Sequence, residues 1–225
     1  MKTPNLTRNL TPNLTFAIAL PARRDALLLD VRTFEIRAEM NRPFEVELTA
    51  VLADDNLDLE AVIGSTGWFV VATGEIDFTA VTRDEAMDGV RVWKGIVREI
   101  QHLGSESEGL STYAIDLVPD MWLLTQRTNN SIFQFLSEVE IVREIFGDWD
   151  MALHLNAAEL ERGGVDLDGH RRREYRTQYE ETDFDFVNRM LEESGVAYYF
   201  DSSARMQAAM VLSDAPEMAP KRERP

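Results

Sequence analysis

The chain has 225 residues, of which 44% are hydrophobic and 28% are charged, a composition typical of a globular protein with a buried core. Its 40 acidic and 23 basic residues give a formal net charge of -17, which opposes broad binding to nucleic-acid phosphates or anionic lipid heads. With no cysteine and only three histidines, disulfides are excluded and a zinc site of cysteine and histidine ligands is not expected.

The N-terminal segment predicts neither a membrane span nor a cleavable signal peptide. Its apolar piece, residues 16–20, is short and follows a polar stretch broken by Pro4 and Pro12. A span needs about 20 apolar residues, and a signal peptide needs a longer hydrophobic centre directly after its basic start. We therefore expect residues 1–13 to be extended or disordered. We also expect the protein to be made in the cytoplasm and to leave it only by a route that reads no cleavable N-terminal peptide.

Residues 33–52 alternate between apolar and charged side chains and predict a β-hairpin. The first strand has Phe34 and Ile36 on its apolar face, the second has Val46 and Leu48, and the turn lies at residues 41–43. Further strands are predicted at 68–73, 91–103 and 111–118. Several strands without a convincing helix over about a hundred residues favour a small antiparallel barrel or sandwich.

The character of the chain changes near Pro119, where we place a domain boundary. Ser137 and Glu140 have the spacing of a capping box, an apolar stripe follows, and Gly147 is predicted to end that helix. The loop 161–169 then leads into a basic run, Arg171 to Arg173. This part of the chain is predicted to be mixed α and β.

Residues 175–200 combine a polar lead-in, an amphipathic helix and an aromatic strand. Thr182 is predicted to cap the helix, with Asp185 as a short version of the reciprocal acid, and Gly195 is predicted to end it. The alternation of residues 196–200 predicts a strand, and 210–212 predicts another. The proline-containing tail 214–225 is predicted to be disordered or a linker.

A search for catalytic patterns finds one candidate, the carboxylate cluster Glu180, Glu181, Asp183 and Asp185. Paired acids could serve a glycan-hydrolysing enzyme. Acids in the first turn of a helix are also explained by unpaired amides and the helix dipole, which we favour. We therefore assign no catalytic, cofactor-binding or metal-binding residue, expect no cofactor, and expect a protein that is not an enzyme.

Several strings, in order along the chain, resemble the VgrG spike family of type VI secretion. The strongest is QYEETDFDFVNRMLEESGVAYYF, residues 178–200, which is similar to the family pattern Q-Y-x-E-[ST]-D-x-x-F-x-x-R-x-x-E-x-x-G-x-x-Y-x-F. RPFEVELTAV, WKGIVREIQHLG and YAIDLVPDMWLLTQRTNNSIFQ match other parts of the family. The resemblance covers roughly residues 14–213.

This resemblance implies a fold like that of the hub of contractile phage tails. By it, residues 14–118 form a hub-type β-barrel domain and residues 119–213 form part of an α/β domain. The second barrel, OB-fold and needle of full-length members have no counterpart in these 225 residues, so the chain is similar only to the family's N-terminal portion.

The implied function is that of a structural component in the trimeric spike of a contractile injection machine. The implied partners are other copies of the chain in a homotrimer, the hexameric inner-tube protein and the baseplate, with a tip protein or effector in full-length members. No nucleic acid or membrane span is expected. Two alternatives stay open: the glycan-hydrolysing enzyme, and an adaptor that recruits an effector through the tail.

The residues that we expect to matter are architectural or interfacial. The basic run is a candidate inter-subunit contact, and the apolar side chains of the signature helix are candidates for holding that helix against the sheet. These residues are Arg171, Arg172, Arg173, Phe184, Phe186, Val187, Met190 and Leu191.

Overall fold

The computed structural model describes residues 13–21, 26–53, 57–72, 89–105, 109–151, 169–203 and 209–213. The chain divides into two compact units. The first contains Met1–Glu35, Val46–Leu117 and Ser202–Ala208, and the second contains Ile36–Glu45, Val118–Asp201 and Ala209–Pro225. Apart from Asn13, the predicted terminal segments 1–13 and 214–225 lie outside the described residues. The domain boundaries proposed from the sequence stay a prediction.

The first unit is built on a closed six-stranded barrel with the strand order β1-β2-β3-β6-β5-β4. The pairs β1–β2, β1–β4, β3–β6 and β4–β5 are antiparallel, and the pairing of β1 with β4 closes the barrel. The predicted small antiparallel barrel is therefore confirmed. The strands are β1 Asn13–Ile18, β2 Leu27–Arg37, β3 Glu45–Leu52, β4 Thr66–Ala72, β5 Val90–Ser105 and β6 Ser111–Val118, and a short helix, α1, spans Leu59–Val62.

Along much of the strands every second side chain is buried, and these side chains fill the barrel. In β3, Val46 and Leu48 are buried between half-exposed glutamates, as the sequence predicts. Gly67 marks a close approach inside the barrel: a Cβ atom there would lie 2.9 Å from Cζ of Phe16 and 3.0 Å from Cδ1 of Leu117. A larger residue at position 67 would therefore require these side chains to move.

The apolar face predicted for the first hairpin strand is wrong at Phe34. The buried positions of β2 are Leu27, Leu29 and Val31, whereas Phe34 falls on the opposite face and is 42% exposed. Its ring still lies 5.0 Å from that of Phe69. Alternation by itself does not say which set of a strand's residues faces the core, because burial is decided by the strand's neighbours.

The second unit combines two small antiparallel sheets with two helices. Strand β7 Thr128–Leu136 pairs with β8 Arg173–Thr182, and β9 Ala197–Asp201 pairs with β10 Ala209–Ser213. The helices are α2 Glu138–Asp148 and α3 Asp183–Ser194, and a 3₁₀ helix spans Asp120–Gln126. The strand predicted at 210–212 is confirmed.

Both helices of the second unit begin as the sequence predicts. Ser137 and Glu140 form a complete capping box at the start of α2. Thr182 caps α3, and Gly195 ends it in the left-handed region with φ of 72°. The predicted end of α2 at Gly147 is wrong, because the helix includes Gly147 and extends to Asp148.

Candidate functional site

The turn from β8 into α3 places a buried carboxylate, Asp183, at the centre of a polar network in the second unit. Asp183 is fully buried. Its Oδ2 accepts hydrogen bonds from Nε of Arg127 at 2.6 Å and from Nε1 of Trp149 at 2.9 Å. Its Oδ1 accepts from Nε2 of Gln178 at 2.8 Å. Both carboxylate oxygens are thus paired, as burial of a charge requires.

This network joins segments that are distant in sequence. Arg127 directly follows the 3₁₀ helix, Trp149 follows α2, and Gln178 lies within β8. The Arg127 guanidinium also lies over the Trp149 ring, 4.8 Å from its centroid, and the Asp183 backbone N–H donates to the Arg127 carbonyl at 3.0 Å. One side chain therefore fixes where α3 begins relative to β8 and to the end of α2.

The structure separates the four carboxylates that the sequence groups together. Glu181 pairs with Arg189, with Oε1 2.5 Å from Nη2. Asp185 contributes at the N-cap, where its N–H donates to Oγ1 of Thr182 and its carboxylate accepts from the Thr182 hydroxyl. Glu180 is exposed, whereas Asp183 is sealed in its network. Helix-start chemistry therefore explains Asp185 but not the side chain of Asp183.

Glu138, in the first turn of α2, is a second buried carboxylate. Its Oε1 lies 3.1 Å from Nε of Arg173 and 2.6 Å from Nη2 of Arg176. Burial opposes ionisation and is the largest influence on the pKa of Glu138, but the hydrogen bonds from Arg176 and Arg173, with the residue's own backbone contact, outweigh it and lower that pKa. Arg176 also reaches Glu193 in α3 at 2.8 Å. These ion pairs hold β8 against both helices.

Glu140 completes the capping box of α2 and also binds Arg172, the residue just before β8. Its carboxylate accepts from Arg172 through two nitrogens, at 2.5 and 3.1 Å, and from the Ser137 backbone N–H at 2.8 Å. These hydrogen bonds, the Arg172 contact first, lower the pKa of Glu140 from 4.5 to about 2. The cap and the ion pair therefore depend on the same ionised side chain.

The predicted basic run thus divides into two kinds of residue. Arg172 and Arg173 are bound to the carboxylates of α2, whereas Arg171 is exposed and has no ion pair among the described residues. Their part in an inter-subunit contact stays a prediction.

The apolar residues singled out in the signature helix lie on one side of α3. Phe186, Val187, Met190 and Leu191 are buried, and Phe184 is half-buried. Phe186 stacks on Phe133 of β7 with ring centroids 5.5 Å apart, and the Arg189 guanidinium covers the same ring. The helix thereby packs on the inner face of the β7–β8 sheet.

Sequence reasoning did not find Arg127, Trp149 and Gln178 as partners of Asp183, or Glu138 as a second buried carboxylate. A signal for one of them was present, since Gln178 and Asp183 lie within the signature string QYEETD. Among the described residues, no group of three or more histidine, cysteine, aspartate or glutamate side chains is placed to hold a metal ion. None of the described helices is both long and apolar enough to cross a bilayer.

Comparison with known proteins agrees with the fold. The family model described as phage tail baseplate hub (GPD) matches residues 37–225. The type VI secretion system spike protein VgrG1b of Pseudomonas aeruginosa is 31% identical over 191 residues, which are 84% of this chain and 23% of that protein. The chain therefore spans about a quarter of the length of this relative.

Two solved structures share the architecture. An Escherichia coli type VI secretion component, described as similar to the phage T4 tail proteins gp27 and gp5, superposes with a TM-score of 0.60 at 24% identity over 87% of this chain and 47% of that one. One chain of a Francisella PdpA-VgrG complex superposes with a TM-score of 0.57 at 15% identity over 91% of this chain and 32% of that one. The chain belongs to the phage tail baseplate hub family and is a homologue of the VgrG spike proteins of type VI secretion.

Proposed function

We propose that this chain is a structural subunit of the trimeric hub of a type VI secretion machine, where it sits on the hexameric inner tube and supports the delivery of effectors. The observation that carries the proposal is the match of the hub family model to residues 37–225, together with the closed six-stranded barrel. In this role the protein acts by assembly and not by catalysis. The structural engagement of Glu181, Asp183 and Asp185 supports this, because each is committed to a contact within the fold.

The proposed partners are other copies of the chain, the inner-tube protein and the baseplate, with a tip protein or effector attached to the assembled spike. One solved structure with the same fold comes from a complex of PdpA with VgrG, which supports a partner of that last kind. The proposed path is synthesis in the cytoplasm, assembly in the secretion apparatus, and release without a cleaved signal peptide.

Native mass spectrometry of the chain, alone and mixed with the inner-tube protein from the same source, tests this role. We expect three copies of the chain to bind one tube hexamer. An unrelated protein of similar acidity controls for charge alone. A chain that stays monomeric and leaves the tube protein unbound would rule the proposal out.

A glycan-release assay tests the absence of catalysis. Wild-type chain and an Asp183→Asn variant should release equally little from purified peptidoglycan. Release by the wild type would restore the enzyme interpretation, whether or not the variant keeps it, because Asp183→Asn also removes structural contacts.

A further inference from the structure

The outer face of the β7–β8 sheet is an uncharged, partly aromatic surface on a strongly acidic chain. Three cross-strand pairs form it: Asn130 with Tyr179, Ile132 with Thr177, and Gln134 with Tyr175. All six side chains are exposed. The opposite face packs on the helices. Depletion of charge with enrichment in tyrosine is the composition of interface cores, and it contrasts with the net charge of -17 over the whole chain.

Phe135 adds a large exposed apolar side chain next to these pairs, and its backbone conformation is strained. Phe133 packs against the core, so regular alternation from it would also turn Phe135 inward. Instead Phe135 has a φ of 56° and is 67% exposed. A bulky side chain in the left-handed region is strained, and such strain is found where function holds it in place.

The exposed area is large enough to form much of an interface. Ile132, Phe135, Tyr175 and Tyr179 are each 64–69% exposed. At roughly 100–150 Å² each they present on the order of 500 Å², more than half of the ~800 Å² that each partner contributes to a standard interface. A patch of this size on one surface is itself a mark of an interaction site.

The charges at the two ends of β8 indicate what covers this surface. Arg171 lies just before the strand and Glu180 near its end, both exposed and without an ion pair among the described residues. The other arginines of this segment are already bound within the fold. A strand with an exposed cation at one end and an exposed carboxylate at the other is complementary to another copy of itself arranged head to tail.

We propose that neighbouring copies of this chain associate through the outer face of the β7–β8 sheet, with the Arg171 end of one copy against the Glu180 end of the next. The uncharged middle keeps local repulsion between two acidic chains low, and the end charges set their direction. This inference rests on the proposed assembly into a hub and identifies a surface that mediates it.

Sedimentation velocity of the full chain tests the apolar part. Ile132→Ser should weaken self-association at least about tenfold, because it places a polar side chain at the centre of the contact. Ile63→Ser is the matched control, since Ile63 is 54% exposed but lies in the first unit, and it should leave association unchanged. Equal effects of the two variants, or a wild type without self-association, would overturn the proposal.

Charge exchange tests the direction of the contact. Arg171→Glu alone and Glu180→Arg alone should each weaken self-association about three- to tenfold, because each places like charges together. The chain carrying both changes should recover, since every contact then has its pair restored with the signs exchanged. Failure of the double variant to recover would contradict the head-to-tail arrangement.

The same variants separate this inference from the proposed function. If the wild type assembles and binds tube protein while Ile132→Ser and both charge variants assemble normally, only the assignment of the surface fails. If self-association follows the predicted pattern but tube protein is never bound, only the hub function fails.

Discussion

Asp183 connects more segments of the second unit than any other single residue that the sequence singled out. Its carboxylate is buried away from water and accepts hydrogen bonds from a guanidinium, an indole and a side-chain amide. A buried, fully paired ion is costly to break, because removing one partner leaves the others desolvated. The residue is therefore structural in the strict sense that the placement of α3 depends on it.

Asp183→Asn should lower the free energy of unfolding by about 2–3 kcal/mol, because the Arg127 guanidinium loses its ionised acceptor. Arg127 is partly exposed and can recover some hydration, which keeps the loss below that of a fully buried pair. Urea unfolding followed by circular dichroism measures the change. Asp185→Asn, at the exposed cap of the same helix, should cost less than about 1 kcal/mol, and equal losses would show that Asp183 has no special role.

The ionisation of Glu140 makes the free energy of unfolding depend on pH. Its pKa is about 2 in the fold against an ordinary value of 4.5, so the ionised form is the one that folding favours. Its contribution is therefore fully present above pH 4.5 and is lost as the pH falls toward 2.

Glu140→Gln should cost up to about 1 kcal/mol at neutral pH through the lost, partly exposed ion pair with Arg172, because a glutamine can still accept the capping hydrogen bond from Ser137. The difference from wild type should shrink as the pH falls from 4.5 toward 2, because protonation of Glu140 then leaves the wild type uncharged at this position, like the variant. Urea unfolding at several pH values measures it, with the exposed Glu144→Gln on the same helix as control. A difference in the free energy of unfolding that stays constant down to pH 2 would contradict the lowered pKa of Glu140.

At the scale of elements, the two glycines near helix ends differ in what they do. Gly195 has a φ of 72° and ends α3, whereas Gly147 lies inside α2 with open space where a Cβ would stand. Only the first needs the conformational freedom of glycine.

Gly195→Ala should therefore destabilise the protein by about 1–2 kcal/mol, because alanine is strained in the left-handed region. Gly147→Ala should stabilise it by about 0.5–1 kcal/mol, since alanine is the better helix former. The two substitutions add the same methyl group, so chemical denaturation of both gives an internal control. Effects of the same sign would be inconsistent with these helix boundaries.

The elements that could be predicted from sequence are those with local signals. The capping box at Ser137 and the left-handed end at Gly195 were predictable because donor, acceptor and turn lie within a few residues. The partners of Asp183 were not, because Arg127 and Trp149 are 56 and 34 residues away in sequence. The outward side of Phe34 was missed for a related reason, since burial in a barrel depends on pairing between distant strands.

At the scale of the whole molecule, family membership and barrel architecture were predictable from the ordered sequence strings, and the structure and the comparisons agree with them. The sequence named the architectural residues as a group and not as a set of contacts, and their functional role stays a prediction. Phe186, Val187, Met190 and Leu191 lie in the core, while Arg172 and Arg173 hold β8 to α2. Assembly itself stays a proposal, since it concerns contacts between chains.

Cryo-electron microscopy of inner tubes purified with this protein tests the central claim most directly. The hub role predicts density for three copies at one end of each tube, with each copy's barrel lying against the terminal tube hexamer. Tubes whose ends carry no copy of the chain, or carry it as a single isolated subunit, would contradict the account.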